Sequence, residues 1–431
     1  MAKKSAGVPA AVVVPSPSGH LAISPTNRHI VSSDHIGYRV RLRSVRRDLV
    51  GRDVTRFMRR ERQTLEEAMP GLDECMADFP LAALESPESP GLDLFRKCGG
   101  PGLLVPPEHT GLGADPVCAV RVQRAIGSRS PSLAVATTMH HFSIASLVET
   151  SARSSGFEWM LLEAVARDRL LVASGFAEGR TGQSILAPTI RAQERDGKIL
   201  LNGSKKPCSL ARSMDLLTAS VALPAENGTG TQMAVALVPK GTPGLSVQPF
   251  WNSFVLAGTE SEEVVLHDVE VPPDLVVRTD VSAEQPLDDL QTTGFLWFEL
   301  LMSASYLGVA SALVERVLAS PQTDAGTRAG VLIEVEGAMT GIEGVARAMI
   351  AGLDGEEALA HALLCRYATQ EAIGRAVSRC VEALGGMAYI GSDDVAYLAA
   401  ASVALRFHPP SRSRMAEPLC DYYAGSPMRV P

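Results

Sequence analysis

Few side chains in this sequence combine a reactive group with surroundings that would change its chemistry. Glu299 lies among Leu296, Trp297, Phe298 and Leu300, and a carboxyl group in apolar surroundings has a raised pKa and becomes a better base. The same setting also suits a structural glutamate paired with an arginine or lysine. His408 stands directly before Pro409 and Pro410. A neutral imidazole, with an unperturbed pKa of about 6.5, can accept a proton, while two prolines reshape the chain and remove backbone donors. His140 and His141 sit side by side within Thr137–Ser143, either as a polar surface or interface feature or facing a cavity. The run Phe176-Ala-Glu-Gly-Arg-Thr-Gly-Gln-Ser184 either turns the chain or presents backbone N–H groups to a ligand. No Ser-His-Asp, HExxH or phosphate-loop arrangement is present. The seven cysteines (Cys75, Cys98, Cys118, Cys208, Cys365, Cys380, Cys420) are scattered without a CxxC pair, which argues for reduced thiols in a cytoplasmic protein and against a metal site.

Three kinds of element would have to position these groups. Apolar residues alternate only between Leu170 and Pro273; elsewhere they recur at helical spacing. Asp196-Gly197 between two alternating runs predicts a hairpin, because the turn needs positive φ. Further strands are expected at Leu216–Leu223, Gln232–Val238, Leu245–Phe250 and Glu263–Val271, each bounded by Pro or Gly, which together make a small sandwich or barrel. Before them, helices are expected over Asp53–Phe79, Gly91–Cys98, Pro116–Gly127, Pro131–Glu149 and Phe157–Asp168. After them come a helix from Thr292, with Gly308 allowing close packing, then Ala329–Leu353, Glu356–Leu384, a turn at Ala388–Gly391 and a helix from Asp394 that stops at His408. The expected fold class is α+β: an arm (residues 1–45), an N-terminal helical domain (46–168), a central β-sandwich or barrel domain (169–283) and a C-terminal four-helix bundle (284–431).

A chain of 431 residues with 46% hydrophobic content can bury a large core. Its net charge of −8, without a long block of one sign, gives nucleic-acid binding no electrostatic support. The basic cluster Arg39–Arg52 reads as a solvated face. Val8–Val14 lacks a cleavage region and soon meets Pro15 and Pro17, so it is expected to be a loosely docked arm and not a signal peptide. No apolar run is expected to reach the roughly 20 residues of a membrane span.

Several segments together resemble the acyl-CoA dehydrogenase family. They are Pro106-Pro-Glu-His-Thr-Gly-Leu-Gly113, Phe176–Ser184, Gly197-Lys-Ile-Leu-Leu-Asn-Gly-Ser-Lys-Lys206, Glu263–Pro272 and Glu382-Ala-Leu-Gly-Gly-Met-Ala-Tyr389. The resemblance spans most of residues 90–415. It implies FAD, held at a subunit interface of a homodimer or homotetramer, and an acyl-CoA or acyl-carrier-protein substrate. It places Phe176, Ala177, Glu178, Gly182, Gln183, Ser184, Pro207 and Ser209 at the flavin, with Glu382, Gly385 and Gly386 in the Gly-Gly corner. The backbone N–H groups and hydroxyls of the strand-end loop would supply donors to the ring.

The departures from the pattern are informative. Pro207 stands where the family has a tryptophan, and Ala177 where it has a threonine. Ser320-Pro-Gln-Thr-Asp-Ala-Gly326 replaces the Arg-x-x-Phe-Gly motif that grips the FAD diphosphate. That loss is worth about 1.5–3 kcal/mol, unless Arg328 substitutes from a shifted position. The family's catalytic glutamate is missing near Arg406-Phe-His-Pro-Pro-Ser411, which puts His408 nearest to it and leaves Glu299 as the alternative base. The leading expectation is α,β-dehydrogenation of an acyl thioester. A monooxygenase of the same fold, which needs no α-proton base, and a flavin-free scaffold are the alternatives.

Overall fold

The structure, a computed structural model, describes residues 56–153, 156, 158–180, 188–224, 231–278 and 289–431. The arm expected over residues 1–45 lies outside the described residues. The chain begins with α1 (Arg59–Ala68), α2 (Leu72–Ala77), α3 (Leu81–Leu84) and α4 (Gly91–Lys97). The single helix expected up to Phe79 is broken at Gly71, whose φ of +81° is left-handed and open to glycine without strain. Two longer helices follow, α5 (Pro116–Arg129) and α6 (Pro131–Arg153), then α7 (Glu158–Asp168). Asp115 caps α5 by accepting from Cys118 N at 2.7 Å, with Pro116 in the first turn.

The β region holds two four-stranded sheets. The first orders β1 (Val172–Gly175), β4 (Leu216–Pro224), β5 (Thr231–Pro239) and β8 (Val276–Arg278), with β1 parallel to β4 and the rest antiparallel. The second, wholly antiparallel, orders β2 (Ala192–Arg195), β3 (Lys198–Cys208), β7 (Glu262–Val271) and β6 (Leu245–Gln248). Asp196 (φ +50°) and Gly197 (φ +76°) close the β2–β3 hairpin, with Arg195 opposite Lys198. Strand β6 ends at Gln248, short of the expected Phe250.

The C-terminal region is helical: α8 (Asp289–Ala319), α9 (Ala325–Ile350), α10 (Gly355–Gly391), α11 (Asp393–Ser402) and α12 (Arg412–Tyr423). Gly385 (φ +76°, ψ 170°) interrupts α10, but the helix resumes, so Ala388–Gly391 is helical and not a turn. By length and composition α8 could cross a membrane, yet 94% of its apolar window is buried inside the protein. It packs against α5 and α6 on one side and α9, α10 and α11 on the other. Where α8 meets α5, a Cβ on Gly308 would lie 2.3 Å from Arg124 O and 2.9 Å from Gly127 Cα, so only glycine permits this backbone approach. The fully buried Arg124 guanidinium fastens the same crossing through Glu61 (2.8 Å), Glu336 (2.6 Å) and Ser311 (3.2 Å). One apolar core runs through the N-terminal helices, both sheets and the bundle.

Candidate active site

A cavity of about 410 Å³ opens between α6, the first sheet and α8. Its floor is a cross-strand row in which Leu237 faces Thr218, and Val235 lies beside Val277. One side is the face of α6 carrying Met139, Phe142, Ser143, Ser146 and Thr150; the other is the face of α8 carrying Gly294, Phe295 and Phe298. Phe176, Ala177, Pro207, Ser209 and Trp251 form one end, and Phe407, His408 and Pro409 the opposite wall.

Three buried charge arrangements hold this frame. The Glu85 carboxylate sits at the N-terminus of α6, accepting from Ser130 Oγ (2.6 Å), Ser132 Oγ (2.6 Å) and Ser132 N (3.1 Å), where helix polarity favours an anion. It also accepts from the Tyr397 hydroxyl, which itself accepts from Leu256 N at 2.9 Å. Burial nonetheless raises the Glu85 pKa. In the second arrangement, Lys205 Nζ meets Glu178 Oε1 at 2.8 Å and Ser220 Oγ at 3.0 Å. Against the upward push of burial, Lys205 and Thr189 bring the Glu178 carboxyl down to about 2.

The third arrangement is centred on Arg366, which has no exposed surface. Its guanidinium donates to Glu299 Oε2 (2.6 Å), His408 O (2.5 Å), Leu405 O (3.1 Å) and Pro409 O (3.3 Å), and so fixes the loop that forms the His408 wall. The His408 ring meets the Tyr306 hydroxyl through Nε2 at 2.8 Å. Desolvation, then the charge of Arg366, lowers the His408 pKa to about 3, so its ring is neutral at ordinary pH.

The hydroxyls at the Ser209 end form a chain with one direction. Thr259 donates to Leu256 O (2.8 Å), so it must accept from Ser261 at 2.7 Å. Ser261 then accepts from Ser209 at 2.9 Å. Ser209 therefore presents lone pairs to the cavity, whereas the sequence reading expected a donor. An acceptor between the apolar surfaces of Phe176, Ala177, Pro207 and Trp251 fits a planar heterocycle that carries an N–H group.

The Acyl-CoA dehydrogenase, middle domain family model matches residues 173–269. Isobutylamine N-hydroxylase from Streptomyces viridifaciens is 47% identical over 372 residues, covering 86% of this chain and 98% of that protein. The chain belongs to the acyl-CoA dehydrogenase family. Solved structures share the family fold. TdsC from Paenibacillus sp. A11-2 with FMN and indole has a TM-score of 0.71 at 19% identity, covering 86% of this chain and 98% of that one. The FAD complex of PigA has a TM-score of 0.70 at 17% identity, covering 84% and 96%.

Against the family pattern, several expected site residues fall elsewhere. Glu299 is fully buried behind the wall, and it is not among the cavity-lining residues. Burial pushes its pKa up to about 7 against the pull of Arg366, and Arg366 holds its carboxylate outside the cavity lining. Its neighbour Phe298 takes the wall position, since successive helical residues point about 100° apart. His140 does not face the cavity either. Val172 N donates to its Nδ1 (3.0 Å) and its Nε2 meets Pro101 O (3.0 Å), which fixes the neutral Nε2–H tautomer; burial lowers its pKa to about 4. His141 is buried against Phe95 and His140.

The Glu178 carboxylate accepts from Lys205 and from the Thr189 backbone. Glu382 and Gly386 are exposed and Gly385 is half-buried, all away from the cavity in this single chain. Arg328 donates to Ser320 O at 2.6 Å. Gly182, Gln183 and Ser184 lie outside the described residues. Among the described residues, no group of three or more His, Cys, Asp or Glu could hold a metal ion.

The sequence reading missed the α6 hydroxyls, Trp251 and the sheet floor. The Ser143, Ser146, Thr150 spacing of three and four residues marks one helical face and was the available signal.

Proposed function

We propose that this protein is a flavin-dependent monooxygenase that hydroxylates the nitrogen of a small aliphatic primary amine. The observation that carries the reading is the retraction of Glu299 onto Arg366 behind the cavity wall. Among the described residues no carboxylate lines the cavity, and His408, its pKa lowered to about 3, is a weak base for the α proton of an acyl thioester. The identity with an amine N-hydroxylase over nearly its whole length supports the same reading. Thioester dehydrogenation, the leading expectation from sequence, is the competing reading.

Reduced flavin with dioxygen, when bound, supplies one oxygen atom to the amine nitrogen, the other leaving as water with two protons and the two flavin electrons. Phe176, Ala177, Pro207 and Trp251 would lie against the ring, with Ser209 accepting from its N–H. FMN is bound in the TdsC structure and FAD in that of PigA. The segment replacing the diphosphate-gripping motif is committed to capping α9, Asp324 accepting from Thr327 N at 3.0 Å, which supports a reduced flavin that exchanges with solution. The chain's contribution is a dry cavity, a rigid His408 wall and exclusion of bulk water. We also propose that it self-associates through the part of α10 beyond Gly385, where Met387 (82% exposed) and Ile390 (79%) are uncovered; light scattering reporting a monomer at micromolar concentration would contradict this.

The test is aerobic incubation with isobutylamine, a flavin reductase, NADH and either FMN or FAD. N-isobutylhydroxylamine detected by mass spectrometry is expected. Anaerobic bleaching of the bound flavin by acyl-CoA or an acyl carrier protein, without hydroxylamine formation, would replace this reading with the dehydrogenase.

A further inference from the structure

We infer that the cavity takes its amine as the uncharged free base, gripped through its N–H groups by hydroxyls that can only accept. This rests on the amine N-hydroxylase reading and names the protonation state it selects.

Nearly every hydroxyl on the described wall has its proton already placed. On α6, Ser143 Oγ donates to Met139 O (3.0 Å), Ser146 Oγ to Phe142 O (3.1 Å) and Thr150 Oγ1 to Ser146 O (2.9 Å). On the sheet, Thr218 Oγ1 donates to Ala173 O (3.0 Å). The Ser209–Ser261–Thr259 chain ends on Leu256 O, and Trp251 Nε1 donates to Val255 O at 2.9 Å. Among the described wall hydroxyls, only that of Ser174 is not committed in this way. Each committed hydroxyl keeps lone pairs but has no proton left to give. A ligand held by these hydroxyls must bring N–H or O–H groups.

The charges around the cavity decide which form of the amine that is. Arg366 behind the His408 loop is matched by Glu299, and Lys205 behind Pro207 by Glu178. Glu262 is spent on Phe250 N and Arg212, and Glu85 on the α6 N-terminus and Tyr397. His408, on the wall itself, is neutral and backed by Tyr306. An ammonium ion entering would lose its hydration and, among the described residues, meet no counter-charge. A free amine would satisfy the acceptors with its N–H groups and keep its lone pair unhydrogen-bonded. That lone pair is what must attack the electrophilic oxygen, and a donor hydroxyl would blunt it. Ser146 is central to this grip: a Cβ on Gly294 would lie 2.7 Å from Ser146 Oγ, so glycine at 294 is what leaves that oxygen accessible.

Calorimetric titration of the flavin-loaded protein with isobutylamine, in buffers of differing ionisation heat, tests the inference. An alkylammonium has a pKa of about 10.4. Binding the free base near pH 7.5 should therefore release about one proton per amine. The apparent Kd for total amine should fall about 100-fold between pH 7 and pH 9, while isobutanol, which cannot ionise, should bind with a pH-independent Kd. The alcohol control separates the amine's ionisation from that of Glu299 or Lys205. Ser146→Ala should weaken the amine several-fold while still releasing the proton. Binding without proton release and with a flat Kd, in a protein that still forms the hydroxylamine, would overturn the free-base inference alone. Absence of both amine binding and hydroxylamine would overturn the N-hydroxylase reading beneath it.

Discussion

Replacing Arg366 by methionine should loosen the cavity wall and cost the fold several kcal/mol. The side chain is fully buried and donates to one carboxylate and three main-chain carbonyls. Its loss strands Glu299 and leaves Leu405 O, His408 O and Pro409 O without this donor. Each buried group so abandoned costs about 1–3 kcal/mol. Phe407 is 79% exposed, so the loop can turn some carbonyls to water, and Glu299 can protonate. The total therefore falls near the about 3–5 kcal/mol typical of breaking a buried pair. With about 2.1 cal/mol/K of unfolding entropy per residue, a unit of roughly 380 residues (Arg52–Pro431) loses about 4–6 °C in Tm. Scanning calorimetry reads that shift, and the KM for amine should rise as Phe407, His408 and Pro409 lose their anchor. Arg366→Lys, which reaches fewer acceptors, should fall between. A variant melting within about 1 °C of the wild type, with an unchanged KM, would show that the loop stands without the clamp.

Glu299→Gln should change hydroxylation less than about tenfold, because its carboxylate is not in the cavity; a loss of about 10²–10⁴-fold in thioester-driven flavin reduction would restore it as a base. Acid should destabilise the fold before most carboxylates titrate. His140 and His408 have folded pKa values lowered to about 4 and about 3, and His141 is lowered well below its ordinary value, by burial first in each case. The unfolded chain then binds more protons below about 6.5, so stability present above that pH is lost as pH falls towards 4. Urea midpoints across this window check the slope, and a flat profile would refute it. Gly308→Ala should lower the Tm, since its Cβ would meet backbone at 2.3 Å and overpacking costs about 1–3 kcal/mol. Gly337→Ala in α9, with nothing within 4 Å, should instead stabilise by about 0.5–1 kcal/mol; equal effects would show that packing at Gly308 is not limiting.

The fold was readable where local chemistry decides it. The change from helical to alternating spacing located the sheets, Asp196-Gly197 located a hairpin, and Gly385-Gly386 located the break in α10. Gly71 was overlooked because apolar residues keep their helical spacing across it. The site was readable only in part. His408, Phe176, Ala177, Pro207 and Ser209, singled out by motif order, all line the cavity. Arg366 was invisible: on a long helix it reads as an ordinary surface arginine, and its acceptors, the carbonyls of Leu405, His408 and Pro409, have no side-chain signature. The floor was equally hidden, because Thr218, Val235 and Val277 meet only through strand register.

The place of Glu299 beside Phe298 bears on how this fold changes occupation. Both side chains leave the same turn of α8, and a step of one position decides whether an acid stands in the room or behind its plaster. A lineage could therefore retire a proton-abstracting reagent into a structural rivet without redrawing a single helix. The reverse journey is as short: one acidic replacement at Phe298, with Glu299 left in service to Arg366, would put a carboxylate back among the ligands.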